Sequence, residues 1–352
     1  MAGAKRQLKF GAFLYLPGSH SAGWRHADAV ADIASDFRHY AALAQTCERG
    51  KIDCVFFQDT AAIMGSGGLD GGSPHRPAQG RQVHLEPVTV LSALAAVTSH
   101  IGLVATATTT YNEPYNIARR FATIDHISGG RAGWNLVTSQ IEDEAGNFGH
   151  EKHMDHALRY ERAREFYEVV AGLWDSWEAD AFKRDKASGI WFDFDKMHFL
   201  HHKGKHFAVR GPLSVSRTPQ GRPVVSQAGS SEAGKALAAA TADLVFTAQT
   251  DIAEARAFCA DLRARAVRQG RGPDDIRILP GLMTVIGRTA AEAREKYEQL
   301  QSLISDEMAL KLLARLTGEL DIYQYPLDGP LPELPPSNAA KARQAIDRKS
   351  VV

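Results

Sequence analysis

Three consecutive stretches decide the fold: Ile101-Gly102-Leu103-Val104-Ala105-Thr106-Ala107, then Asn116–Ile127, then Arg131-Ala132-Gly133-Trp134-Asn135-Leu136-Val137. The outer two read as strands and the middle one as a helix, which makes the two strands parallel and the crossover right-handed. Working outward, the same unit recurs. Upstream, Leu8–Leu16 reads as a strand, Phe37–Arg49 as a helix, Cys54–Phe57 as a strand ending at Gln58-Asp59, and Pro87–Ser99 as a helix after a Gly/Ser-rich loop at Gly65–Gly80. Downstream comes a long helix, Asp155–Trp177, with Leu158, Phe166, Val169, Val170, Leu173 and Trp174 spaced for one buried face. Strands follow at Val224–Gln227 and Leu244–Thr247, each leading into a helical stretch, then a strand at Ile278–Ile286 and a helix at Ala290–Leu303. Seven such units favour an α/β barrel of the (β/α)8 TIM type over a doubly wound sheet, with the eighth unit missing from the count. Two stretches break the rhythm. Asp180–Pro223 reads as an insertion after the fourth strand, with a hairpin around Lys203-Gly204-Lys205, and Tyr323–Asn338 is proline-rich and irregular. Residues 1–322 are therefore expected to form one barrel domain and 323–352 an irregular tail.

Composition narrows the function. The 352 residues are 44% hydrophobic and 23% charged with a net charge of zero, which gives no basis for a nucleic-acid surface. The sparse cysteines, Cys47, Cys54 and Cys259, fit a reducing compartment, and no apolar run reaches the roughly 18 residues that span a bilayer. A cytoplasmic protein with neither membrane nor nucleic-acid partner is expected. The histidines form two groups, His150, His153 and His156, and His198, His201, His202 and His206. Neither has H-E-x-x-H or zinc-ribbon spacing, so no metal site is expected. G-x-S-x-G, P-loop and G-x-G-x-x-G patterns are absent from the sequence.

In a β/α barrel the reactive groups sit beyond the carboxyl ends of the strands. Here those ends are small or polar: His20 after the first strand, Asp59 after the second, Thr106 in the third, Asn135 in the fourth, and Ala228-Gly229-Ser230-Ser231-Glu232 after the fifth. Glycine permits close backbone approach, serine adds donors, and the N–H groups of the following helical turn favour a phosphate. A serine there is equally suited to capping the helix, and the two roles are compatible. His156 and Tyr160, four residues apart, share a helical face and either meet one ligand or form an ordinary polar surface. Asp59, Thr106 and Asn135 likewise serve a ligand or local turns. Phe13, Phe56 and Phe246 either wall an apolar substrate pocket or pack the core.

The run Phe121-Ala122-Thr123-Ile124-Asp125-His126-Ile127-Ser128-Gly129-Gly130-Arg131, continued by Gly133-Trp134-Asn135-Leu136-Val137-Thr138-Ser139, resembles bacterial-luciferase-like flavin monooxygenases. It is most similar to the branch holding nitrilotriacetate, EDTA and dibenzothiophene-sulfone monooxygenases and long-chain alkane monooxygenase. Trp24-Arg25-His26, Glu48-Arg49-Gly50-Lys51, Asn147-Phe148-Gly149, Arg159-Tyr160, Val209-Arg210-Gly211-Pro212-Leu213, Ser216-Arg217-Thr218-Pro219-Gln220-Gly221 and Tyr325-Pro326-Leu327-Asp328 extend the resemblance over nearly the whole chain. It implies a homodimeric or homotetrameric barrel using reduced FMN from a separate NAD(P)H:flavin oxidoreductase. A flavin C4a-(hydro)peroxide, made with O2, would then oxygenate a small organic substrate. By position it implies that Asp59, Thr106, Asn135, His156 and Tyr160 surround the flavin and that Ala228, Gly229, Ser230 and Ser231 hold its phosphate. His20, on the loop after the first strand, is the candidate for substrate-side proton handling, or else a surface loop histidine. Members of the family continue into a last β/α unit, so the resemblance also implies a barrel short of that unit. The competing readings are a deazaflavin- or flavin-dependent oxidoreductase of the same superfamily and a non-catalytic flavin-binding fragment.

Overall fold

The computed structural model describes residues 7–30, 32–63, 83–316 and 324–330. The loop expected at Gly65–Gly80 lies outside them, as does 331–352, most of the expected tail. In chain order the elements are β1 (Gly11–Phe13), α1 (Phe37–Arg49), β2 (Cys54–Phe57), α2 (Pro87–Val97), β3 (Gly102–Thr108), α3 (Pro114–Ser128), β4 (Ala132–Val137), α4 (Glu144–Asn147) and α5 (His156–Trp174). Then follow β5 (His202–Lys203), β6 (Ala208–Val209), β7 (Val224–Gln227), α6 (Glu232–Thr241), β8 (Leu244–Thr247), α7 (Ile252–Arg268), β9 (Arg277–Pro280), α8 (Ala290–Ser302) and α9 (Asp306–Leu316). Seven strands run parallel in the order β1-β2-β3-β4-β7-β8-β9, a nearly closed barrel wrapped by helices.

The unit β3-α3-β4 forms as its sequence dictates. Pro114 opens α3 where its missing N–H is not needed, and Gly129 ends it at φ 67°, a left-handed conformation open to glycine. Residues then alternate across each strand. Leu103, Ala105, Ala107, Trp134 and Leu136 enter the core beneath the helices, with Phe121 of α3 and Phe166 of α5. The intervening Thr106 and Asn135 therefore face the barrel interior, paired in register. Trp134 is fully buried, and its indole N–H donates to the Ala107 carbonyl at 2.9 Å. A second, smaller core under α6 and α7 contains Val245, Leu262 and Ala266.

Much of the recurrent sequence pattern does architectural work. The Arg131 guanidinium donates to the carbonyls of Ala95, Thr98, Ile101 and Ser128, closing the end of α2 against the start of β3. Buried Asp125 accepts from the Ala132 amide and from both the backbone and side chain of Gln220. Glu48 accepts from three successive amides, those of Ser99, His100 and Ile101.

Several boundaries differ from expectation. The first strand is only Gly11–Phe13 rather than Leu8–Leu16, and the Leu8 and Phe10 side chains lie largely in solvent. The last strand ends at Pro280 rather than Ile286, and Leu282, Met283 and Ile286 are exposed. The long helix stops at Trp174, capped by Asp175, and Leu158 faces outward. The helix α9 was not anticipated. The expected hairpin is present as β5 and β6, antiparallel, and is clamped to α5 by Glu165, which accepts from the His206 and Phe207 amides and pairs with His202.

Among the described strands, β1 pairs only with β2 and β9 only with β8. Curvature still brings the rings of Phe13 and Phe246 to 6.4 Å across the interior. The loop after β1 reaches α8: His20 Nε2 lies 2.9 Å from Gln301 Oε1, and Arg25 donates to the Leu303 carbonyl.

Candidate active site

On the inner wall, Asn135 Nδ2 donates to Thr106 Oγ1 at 2.8 Å, and Thr106 in turn donates to the Phe57 carbonyl at 2.9 Å. Both side chains are buried, and Asn135 Oδ1 has no hydrogen-bond partner among the described residues. Gln227 Oε1, at the end of β7, is a second buried acceptor in that condition. Buried acceptors without donors are costly in a native fold, so each marks a place where a ligand N–H or O–H fits.

A cavity of about 880 Å³ opens beside this pair and is lined by Asp59, Thr106, Thr108, Tyr111, Asn112 and Phe148 among others. The Asp59 carboxyl accepts from the Thr60 amide at 2.9 Å. Burial pushes its pKa up to about 6, helped by the carboxylates of Glu86 and Glu144 and opposed by His84.

The turn after β7 is built for close approach. A Cβ placed on Gly229 would lie 2.7 Å from the Cα of Gly234 and 3.4 Å from the Tyr160 hydroxyl. Ser231 is the N-cap of α6, and its Oγ accepts from the Gly234 amide at 3.1 Å. The capping role thus falls to Ser231, while Ser230 stands half-buried beside it. The Glu232 carboxylate, which would repel an anion at this helix end, is neutralised by Lys235 and Arg265, each at 2.6 Å. Tyr160 closes the turn from α5, and the His156 ring stands 4.9 Å from its own, centroid to centroid. A bare glycine cradle, a helix N-terminus and a flanking phenol make a set that fits a phosphate, and the unpartnered Asn135 amide oxygen fits a polar ring system. The residues present therefore suit a flavin mononucleotide.

The expected residues fall into separate groups. Thr106 bonds directly to Asn135 and lines the cavity with Asp59, while His156, Tyr160 and Gly229 form a second cluster. Phe13, Phe56 and Phe246 meet inside the barrel, with Phe13 and Phe56 edge to face at 5.3 Å. His20 stands apart, on Gln301 of α8. Sequence reasoning missed a hydrogen-bonded series, Tyr111, His153 and Arg159, that runs from the cavity wall to α5. Its one sequence signal was the pair Arg159-Tyr160, noted for pattern and not for the fully buried arginine. Among the described residues, no three His, Cys, Asp or Glu side chains gather as a metal site, and no helix is long and apolar enough to cross a membrane.

Comparison with known proteins agrees with this geometry. The chain is 51% identical over 345 residues to N-acetyl-S-(2-succino)cysteine monooxygenase of Bacillus subtilis (strain 168), covering 97% of this chain and 76% of that one. It is 47% identical to nitrilotriacetate monooxygenase component A of Aminobacter aminovorans, covering 98% and 77%. Among solved structures, riboflavin lyase with modified FMN and substrate riboflavin superposes with a TM-score of 0.84 at 32% identity, covering 97% and 76%. The family model described as luciferase-like monooxygenase matches residues 12–348. The chain is a monooxygenase and belongs to the luciferase-like family.

Proposed function

We propose that this chain is the oxygenating component of a two-component system and uses reduced FMN delivered by a separate NAD(P)H:flavin oxidoreductase. One observation carries the reading. The Gly229–Gly234 contact packs the turn directly onto the first turn of α6 beside the Tyr160 hydroxyl, which sets Ser230, the phenol and the helix N-terminus together as donors for a phosphate. The designation of one relative as component A supports a separate reductase. When bound, reduced FMN supplies the electrons that activate O2 for insertion of one oxygen atom into a small organic substrate.

In this reading Ser230, the turn amides and Tyr160 bind the phosphate, while Asn135 and Thr106 orient the ring system. Asp59 holds a proton at its carboxyl below about pH 6. Phe13, Phe56 and Phe246 exclude water from the substrate side. His20 moves protons only if the loop after β1 leaves Gln301. The protein works as a homodimer or homotetramer in the cytoplasm. The test is thermal melting of the chain with and without FMN, followed by reductase-coupled oxygen consumption. FMN should raise the melting temperature of wild type and raise that of Ser230→Ala less. A cooperative melt that ignores FMN would overturn the assignment.

A further inference from the structure

We propose that Tyr111 donates a hydrogen bond to the bound flavin from the cavity wall, the direction of its hydroxyl being fixed by His153 and Arg159. This rests on the flavin reading above. Arg159, 1% exposed, places Nη1 against His153 Nε2 and donates from the same nitrogen to the Ser139 carbonyl at 2.5 Å. A guanidinium has donors only, so the imidazole nitrogen facing it must present a lone pair. The neutral ring then carries its single proton on Nδ1. The Ser139 carbonyl, which also faces the imidazole, accepts from Arg159, so the guanidinium bridges the two acceptors.

His153 Nδ1 lies 2.6 Å from the Tyr111 hydroxyl. With the proton on Nδ1, Tyr111 is the acceptor in that bond, and its own proton is left to point elsewhere. Among the described residues the hydroxyl has no other partner, and Tyr111 lines the cavity that Asp59 and Thr106 share. Phe148 stacks on the Tyr111 ring at 4.5 Å and 4°, holding its plane. Burial and the neighbouring Arg159 hold the His153 imidazole below its usual range, so it stays neutral. Burial and Glu144 push the Tyr111 phenol up to about 12, so it donates a hydrogen bond without releasing its proton. The other ionisable groups facing this series are Glu142, whose carboxylate holds the His153 amide, His150, whose ring is 6.1 Å from that of Tyr111, and Asp155 and Tyr160 beside Arg159.

Two measurements on the full chain test it. The first is nitrogen-15 NMR of histidine-labelled wild type, expected to show His153 protonated on Nδ1 from about pH 6 to pH 8. The second is titration with oxidised FMN followed by flavin fluorescence. Loss of one neutral hydrogen bond should weaken binding to Tyr111→Phe by roughly 3- to 10-fold. A proton on Nε2, or Tyr111→Phe binding FMN as tightly as wild type, overturns the proposal. Wild type that fails to bind FMN defeats the flavin reading itself, a separate result. The tautomer is read on wild type, so it decides the direction of the relay even if the variant folds poorly.

Discussion

Asn135 on β4 and Thr106 on β3 are joined side chain to side chain at 2.8 Å, and the sense of that bond is set one strand further on. Thr106 spends its hydroxyl proton on the Phe57 carbonyl of β2, so it can only accept from Asn135. The amide orientation is thereby dictated, and Oδ1 is turned away with no protein donor. Three strands are tied together by a bond series that ends in an open acceptor.

Replacing Thr106 by valine keeps the volume but strips this series of its centre. The Asn135 amide would lose its acceptor and the Phe57 carbonyl one donor, at a cost of about 1–3 kcal/mol. Urea unfolding should show the lower midpoint. An unchanged midpoint would mean that water or a rotated amide replaces the threonine.

The two serines of the turn should separate. Ser231→Ala removes an N-cap and should lower stability by about 1 kcal/mol. Ser230→Ala should leave the melting temperature nearly unchanged and weaken FMN binding. Gly229→Ala forces a Cβ to 2.7 Å from Gly234 and should abolish FMN binding. Calorimetric titration of the three variants checks the order, and equal losses from both serines would refute the division of roles.

Asp59 predicts a pH dependence with a definite sign. Its folded pKa, about 6, is raised from 3.8, so its contribution to stability is fully present below about 3.8 and is lost as pH rises through 6. At neutral pH the buried carboxylate destabilises the fold. The rise from 3.8 to about 6 corresponds to about 3 kcal/mol, reduced to about 1–2 kcal/mol by the partial exposure of the group. Asp59→Asn should therefore melt above wild type at neutral pH and converge with it in acid. Melting curves across the window decide, and a constant gap would place the cause elsewhere.

The aromatic residues of the barrel interior should behave unlike those of the shell. Trp134→Ala empties a fully buried site and should cost about 3–5 kcal/mol. Phe246→Ala, in a half-buried ring cluster, should cost about 1–2 kcal/mol and raise KM for an apolar substrate more than it lowers kcat. A large stability loss at Phe246 would assign it to the core instead.

Strands and helices with one face set into the core were readable because their patterns answer to local rules. Cys54–Phe57, Val224–Gln227, Leu244–Thr247 and Phe37–Arg49 lie where the sequence places them. The ends of β1 and β9 were not readable, since apolar residues such as Leu8 and Ile286 look like strand whether or not anything covers them. In the site, glycine and serine at a strand-to-helix turn spoke clearly. The division between a capping Ser231 and a free-standing Ser230 did not, because it depends on one backbone angle. Tyr111 was invisible for a different reason. Its role comes from His153 and Arg159, 42 residues away at the first step, and no local period encodes such a contact.

Helix α5 presents Glu165 and Glu161 to the β5–β6 hairpin, Arg159 to the buried relay and Tyr160 to the glycine turn. These four attachments occupy less than two turns of one rigid rod. The hairpin insertion and the cofactor turn are thus geared to a single shaft. A displacement of the hairpin would therefore bear on the Tyr160 phenol and the Arg159 guanidinium together, through one rigid helix.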